Sequence, residues 1–126
     1  MQFEELKKVI DESCERIKHT SSDIREAELK ASEFLRLNAR LISAKFELKS
    51  DAVKLTSLRD AVYKGALDTA EGTNVTTKKI NAESNRDYQQ IREGVEYTEN
   101  KIEYVKHYID LFKDAHIFYR QLSKGD

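Results

Sequence analysis

The chain has 126 residues, of which 39% are hydrophobic and 36% are charged, and its formal net charge is −1 at pH 7. A charge so close to zero excludes a uniformly basic nucleic-acid-binding protein, although it leaves room for a local basic surface. Because there is no proline and there are only four glycines, helix is the expected state for most of the chain.

The length and composition favour one all-α domain that assembles with copies of itself. A chain of this size is usually a single domain. Long helices with charged outer faces bury little surface within one chain, so we expect a homo-oligomer. Residues 1–5 have neither the basic nor the apolar region of a signal peptide, and no apolar run approaches the roughly 20 residues of a membrane span. We therefore expect a soluble, cytoplasmic protein with no membrane partner.

The first predicted helix covers about residues 2–19 and carries an excess of acidic side chains. Its apolar face is formed by Phe3, Leu6, Ile10, Cys14 and Ile17, which recur at helical spacing. Cys14 is the only cysteine, so no intrachain disulfide can form, and its place on this face favours packing over reactivity. Polar residues 20–23 then interrupt the pattern, and Asp23 is placed to cap a second helix.

The second predicted helix covers about residues 24–70 and contains the clearest repeat in the chain. An apolar residue recurs every seven positions at Phe34, Leu41, Leu48, Leu55 and Val62. A second series comprises Leu37, Ala44 and Leu58 and is interrupted only by Asp51. These two series are the a and d positions of a helix that packs one seam against a partner helix.

The same helix carries a cationic segment, in which seven basic residues against three acidic ones leave a local charge of +4. The basic residues are Arg36, Arg40, Lys45, Lys49, Lys54, Arg59 and Lys64. They are the candidate DNA-binding residues, because lysine and arginine neutralise backbone phosphates. Tyr63 is the aromatic side chain best placed for a base to stack on it, unless it belongs to the core.

The alternative is that these cations only flank a coiled coil and pair with acids of the facing helix. The third predicted helix offers Glu83, Asp87, Glu93, Glu96, Glu99 and Glu103 for such pairs. In that case the protein would be a coiled-coil scaffold or adaptor that does not bind nucleic acid. The residues alone leave both interpretations open.

A polar linker over residues 71–77 separates the second helix from a third, which is predicted over about residues 78–122. Two long helices joined in this way are expected to fold back as an antiparallel hairpin. The seam of the third helix is formed by Tyr88, Ile91, Val95, Ile102, Val105, Ile109, Phe112 and Tyr119, with Thr98 as its weak point.

The third helix also has a second apolar stripe, which begins at Tyr97 and continues toward the C-terminus. A helix with one partner needs one stripe, so a second stripe indicates a second partner. We predict that self-association uses Tyr104, Tyr108, Leu111, Ala115, Phe118 and Leu122. The alternative is that the first helix folds back and covers this stripe.

The chain shows no pattern typical of catalysis or cofactor binding. The three histidines, His19, His107 and His116, have no partners at the spacing of zinc ligands. We find no phosphate-binding glycine loop and no nucleophile elbow. His116 lies on the seam of the third helix, which favours a packed or interfacial histidine. The prediction is a non-enzyme without metal or cofactor.

Several short motifs occur in the order and spacing of one known family. They are Tyr63-Lys64-Gly65, Ile80-Asn81-Ala82-Glu83, Val95-Glu96-Tyr97, Ile102-Glu103-Tyr104 and Ile109-Asp110 followed by Lys113. Together with the acidic first helix and the basic second one, they make nearly the whole chain resemble the UvsY recombination mediators of tailed phages.

The resemblance implies a ring-like oligomer that binds single-stranded DNA and is not an enzyme. Such mediators help a RecA-like recombinase to displace the single-strand binding protein, and a phage-encoded member would act in the host cytoplasm. Arg59 matches the arginine of the family's DNA-binding motif, whereas Ser57 stands where the family has a lysine, so Lys54 and Lys64 are expected to supply the charge. Ala115-His116-Ile117-Phe118 replaces a C-terminal Arg-Gly-aromatic motif, so the contacts between subunits are expected to differ in detail.

Overall fold

The computed structural model describes residues 2–17 and 23–124, and within them the chain is all-α, as predicted. The helices are α1 (Phe3–Ile17), α2 (Ile24–Thr69), α3 (Val75–Glu83) and α4 (Arg86–Ser123), and these described residues contain no strand. Residues 18–19 of the predicted first helix, and with them His19, lie outside the described residues.

The two long helices, α2 and α4, pack together. The chain divides into two compact units, and both helices contribute to each of them. Unit 1 consists of Met1–Lys45 and Tyr104–Asp126, and unit 2 consists of Phe46–Glu103. Each unit has its own aromatic and aliphatic core.

The core of unit 1 is built around Phe34, which is 1% exposed. Its ring lies 5.5 Å from that of Phe112 and stacks on Tyr119, with 5.8 Å between ring centroids. From α1, Leu6 and Ile10 are also buried. Burying side chains of this size is the main source of stability for such a unit, because apolar surface leaves water.

The core of unit 2 is smaller and joins the last turns of α2 to the first turns of α4. The rings of Tyr63 and Tyr88 lie 5.1 Å apart, and Val95 and Ala66 are buried. Thr98, the predicted weak point, is also buried, but its hydroxyl donates to the carbonyl of Gly94 at 3.0 Å. The seam therefore tolerates a threonine there, since the polar group has a partner.

The predicted seam of α2 is correct for its first half, and in its second half it fails at the d position occupied by Leu58. Phe34, Leu37 and Leu41 are buried, whereas Leu58 is 50% exposed. Beyond Leu48 the inward side chains belong to Ala52, Leu55, Arg59, Val62 and Ala66, which are half-buried or buried. A straight α-helix drifts by about 20° per seven residues, so the inward face moves from the a and d positions to the a and e positions. Leu55 and Val62 of the predicted a series therefore still face inward, beside Ala52, Arg59 and Ala66.

The predicted third helix is in fact two helices, and the linker before them is shorter than expected. Residues 75–77, assigned to the linker, already belong to α3, and the chain breaks again between α3 and α4. Asn74 caps α3 by accepting the Thr77 amide hydrogen at 2.8 Å. Asn85 does the same for α4, where its side-chain oxygen accepts from the Tyr88 amide at 3.1 Å. These asparagine caps compete with helical continuation.

The buried face of α1 also differs by one position from the prediction. Ser13 is 1% exposed, whereas Cys14 is only half-buried. The Ser13 hydroxyl donates to the Val9 carbonyl at 2.8 Å, which satisfies it inside the helix. A serine can therefore occupy a buried position on this helix.

Candidate nucleic-acid interface

In unit 1, the candidate DNA-binding residues are Arg36, Arg40 and Lys45, on the middle of α2. Arg36 and Arg40 are exposed and Lys45 is half-buried. Arg36 forms no ion pair with any described residue. Its guanidinium can therefore form a hydrogen-bonded ion pair with an anionic ligand without first leaving a carboxylate of residues 2–17 or 23–124.

A fourth cation, Arg16, joins this group from α1, although the sequence placed no binding residue there. Its guanidinium forms an ion pair with Glu33 of α2. Arg16, Glu33, Arg36 and Arg40 all line a pocket of about 310 Å³ between the two helices. The sequence signal for Arg16 is a basic residue in the last turn of a helix with an excess of acidic side chains.

In unit 2, the candidate residues are Lys49, Lys54, Arg59 and Lys64, on the second half of α2. The three lysines are exposed and form no ion pair with any described residue. Arg59 is half-buried, and its Nε donates to the carboxylate of the neighbouring Asp60 at 3.4 Å. The residue that matches the family motif therefore has the most engaged side chain of these four.

Tyr63 is not an open platform for a base. Its ring packs on Tyr88 within the core of unit 2, with 5.1 Å between centroids, and the side chain is half-buried. The core alternative given by the sequence is therefore the one that the structure shows.

The second stripe of α4 is partly covered by α1. Tyr104 is half-buried, its ring meets that of Phe3 edge to face at 5.7 Å, and the Lys7 amine lies 5.8 Å from its centroid. Tyr108 is half-buried beside it, with 4.9 Å between the two rings. The alternative that the first helix covers the stripe thus holds around Tyr104.

The remaining members of the stripe differ in exposure. Ala115 is buried within the chain at 7% exposure, so its side chain offers almost no surface to another copy. Leu122 is half-buried, whereas Leu111 is 37% and Phe118 is 51% exposed. Of the six residues predicted for self-association, Leu111 and Phe118 are therefore the most exposed.

The contact with α1 also changes the acidity of Tyr104. Burial, the neighbouring Tyr108 and the Asp11 carboxylate raise the pKa of its phenol from 10.0 to about 12. Burial is the largest cause, because a phenolate loses hydration when apolar atoms surround it.

Several exposed apolar side chains on α2 were not predicted from the sequence. In unit 1, Leu35 is 55% and Ile42 is 38% exposed, and in unit 2, Phe46 is 61% and Val53 is 66% exposed. The signal was present, because Leu35 and Ile42 repeat the seven-residue spacing directly beside the seam residues Phe34 and Leu41.

Metal-binding clusters and membrane-spanning helices are both absent from residues 2–17 and 23–124. The described residues contain no cluster of histidine, cysteine and carboxylate side chains that could hold a metal ion. His116 is instead packed, with its Nδ1 hydrogen-bonded to the Ala31 carbonyl at 2.8 Å. Over the described ranges, none of the helices has the length and apolar character needed to cross a membrane.

Comparison with known proteins gives no match, whether with family models, with curated proteins or with solved structures. The resemblance to the UvsY mediators therefore rests on the sequence motifs described above.

Proposed function

We propose that this protein is an oligomeric single-stranded DNA-binding protein that acts as a recombination mediator and not as an enzyme. The observation that carries the proposal is a set of exposed cations on α2 that have no carboxylate partner within the described part of the chain, namely Arg36, Lys49, Lys54 and Lys64. Each unit of the chain thus offers cations of its own to a polyanion.

These cations suit phosphates better than they suit the facing helix. In the scaffold alternative, acids of the third predicted helix would pair with Arg40, Lys45, Lys54 and Arg59. In the structure Lys54 has no ion-pair partner among the described residues, and Arg59 forms an ion pair with Asp60 of its own helix. Long exposed side chains that lack protein partners bind phosphates mainly through counterion release.

Binding of this kind should tolerate any DNA sequence, because phosphates carry no base information. A preference for single strands would come from the ability of a flexible strand to follow scattered cations, which a rigid duplex cannot do. Several copies acting together would multiply the number of contacts and raise the apparent affinity.

The role as a mediator rests on the resemblance to the UvsY family. A strand held extended on the oligomer would be open to a RecA-like recombinase while the single-strand binding protein is displaced. The protein partners are therefore a RecA-like recombinase and a single-strand binding protein, and no cofactor is required.

The test is a titration of a labelled single-stranded oligonucleotide at rising salt concentrations. For the wild-type protein, the logarithm of the binding constant should fall linearly with the logarithm of the salt concentration. The slope should be about −0.7 for each phosphate contact. The triple variant Lys49→Ala, Lys54→Ala and Lys64→Ala should reduce the magnitude of that slope by about 2, because three contacts are lost. The matched control, Lys78→Ala, Lys79→Ala and Arg86→Ala, removes the same charge from exposed positions of unit 2 outside the segment and should bind as the wild type does.

A slope near zero for the wild type would exclude DNA binding and favour the scaffold alternative. If the two triple variants lost equal amounts of oligonucleotide affinity, net charge alone would attract the strand. That result would contradict a specific role for the α2 cations.

A further inference from the structure

The pocket between α1 and α2 in unit 1 combines a partly apolar wall with several arginines, which was not predicted from the sequence. Its volume is about 310 Å³, and its inner wall includes Val9, Ser13 and Leu37. Ser13 and Leu37 are buried, at 1% and 6% exposure. Because Ser13 is small where the neighbouring positions of this face carry larger side chains, the two helices leave a space between them at this point.

The Ser13 hydroxyl does not provide the pocket with a donor, because its hydrogen is already given to the Val9 carbonyl. The charged donors of the lining are therefore guanidinium groups. Three arginines line it, Arg16 from α1 and Arg36 and Arg40 from α2, against the single carboxylate of Glu33, so the lining carries a formal charge of +2.

A recess with three guanidinium groups and one carboxylate is suited to an anion whose oxygens accept paired hydrogen bonds from arginine. Arginine forms paired hydrogen bonds to phosphate oxygens, and its delocalised charge is weakly hydrated, so it loses little on leaving water. A backbone phosphodiester shares one negative charge between two non-bridging oxygens, and each of these can accept hydrogen bonds from more than one guanidinium group.

We propose that this pocket holds one backbone phosphate of the bound strand, and that Arg16 of α1 is one of its ligands. The proposal rests on the proposed function and deepens it, because it assigns a DNA contact to the acidic first helix. Arg16 reaches the phosphate together with Arg36 and Arg40.

Glu33 limits the affinity of this site. It forms an ion pair with Arg16 in the protein without DNA, and its charge opposes that of an incoming phosphate. A phosphate must therefore compete with Glu33 for the Arg16 guanidinium. Removing this carboxylate alone should strengthen binding, which is a result that general damage to the fold cannot produce.

The experiment measures oligonucleotide affinity for four variants of the full chain across a range of salt concentrations. Glu33→Gln should raise the affinity roughly threefold, as expected when one like charge is removed a few ångströms from the phosphate near a solvated surface. Its control is Glu28→Gln, which removes the same charge from an exposed position of α2 that is not part of the pocket lining. Arg16→Ala should lower the affinity and reduce the magnitude of the salt slope by about 0.7. Its control is Arg25→Ala, also exposed and outside the lining.

The pocket assignment fails if Glu33→Gln and Arg16→Ala each behave as their controls do, while the wild type still binds with a clear salt slope. In that case the proposed function stands and the α2 cations act without α1. If the wild type shows no salt-dependent binding at all, the proposed function and this assignment fail together. A thermal melt followed by circular dichroism identifies any variant that does not fold. If Arg16→Ala does not fold, Arg16→Lys is measured in its place, and its affinity should lie between those of the wild type and the Arg25→Ala control on one side and complete loss of the Arg16 contact on the other.

Discussion

Tyr104 shows how one contact between helices can change the chemistry of a side chain. The phenol lies against α1, where the Phe3 ring meets it at 5.7 Å and the Asp11 carboxylate adds a negative charge nearby. Both burial and that charge disfavour the phenolate, so the pKa of Tyr104 is raised to about 12. The folded chain therefore binds this proton more tightly than the unfolded chain does.

The first consequence is a pH dependence of stability at high pH. The contribution of Tyr104 is complete below pH 10, where the phenol is protonated in both states, and it is lost as the pH rises from 10.0 toward about 12. The variant Tyr104→Phe keeps the ring but lacks the proton, so its free energy of unfolding should fall less steeply in this interval. Denaturant titrations at several pH values measure the difference.

The control for that experiment is Tyr97→Phe, which removes a phenol from a side chain that is 59% exposed. Parallel stability curves for wild type and Tyr104→Phe would contradict the prediction.

Individual core residues were predictable from sequence only where the helical repeat is unambiguous. Phe34, Phe112 and Tyr119 were assigned to the seams, and all three are buried. Ser13 and Arg59 were not, because spacing rules rank side chains by polarity and both of these are polar. The structure accommodates them through local hydrogen bonds, to the Val9 carbonyl and the Asp60 carboxylate.

Among the helices, the break between α3 and α4 is the feature that a pattern of apolar residues does not reveal. Neither glycine nor proline marks it, and the apolar spacing continues on both sides. The backbone amide of Ser84 bonds to the carbonyl of Ile80, and Asn85 then starts α4 by accepting from the Tyr88 amide. Two adjacent polar residues are common inside long helices, so their capping role becomes visible only in three dimensions.

The cap predicts a specific loss of stability. Asn85→Ala removes the acceptor for the Tyr88 amide and should lower the free energy of unfolding by about 1 kcal/mol. Asn100→Ala, at an exposed position inside α4, should cause no loss, because alanine is the better helix former there. Urea denaturation compares the two variants, and hydrogen exchange at the Tyr88 amide locates the effect.

If Asn85→Ala were as stable as Asn100→Ala, the asparagine would not act as a cap and α3 and α4 could join without cost.

By contrast, α2 was predictable almost to the residue. Expected over 24–70, it is observed as Ile24–Thr69, because Asp23 and the polar stretch after Ala70 provide clear signals at both ends.

At the level of the whole molecule, the exposed apolar side chains indicate that the chain has further surface to cover. Leu111 and Phe118 lie on one face of α4 in unit 1, and neither is covered to the extent that Tyr104 is. Exposed apolar groups at helical spacing are typical of an interface between copies. The predicted homo-oligomer would use this part of the second stripe.

The matching prediction concerns mass in solution. Phe118→Glu places a charge at the centre of the proposed interface and should shift the protein to a smaller species in size-exclusion chromatography with light scattering. Ile80→Glu, at a position of α3 that is 58% exposed, adds the same charge elsewhere and should leave the mass unchanged. A wild-type protein that is already monomeric at micromolar concentration would contradict the oligomer and weaken the cooperative part of the proposed function.

The position of Cys14 has a practical consequence. It is the only sulfhydryl in the chain, and it sits half-buried on α1, close enough to Tyr104 to influence that phenol. Separation of α1 from its neighbours would expose the Cys14 sulfur more fully. The rate at which Cys14 is alkylated would therefore report how often α1 separates. The wild-type protein thus contains a built-in reporter on the helix to which Arg16 belongs, and no engineered label is needed to follow it.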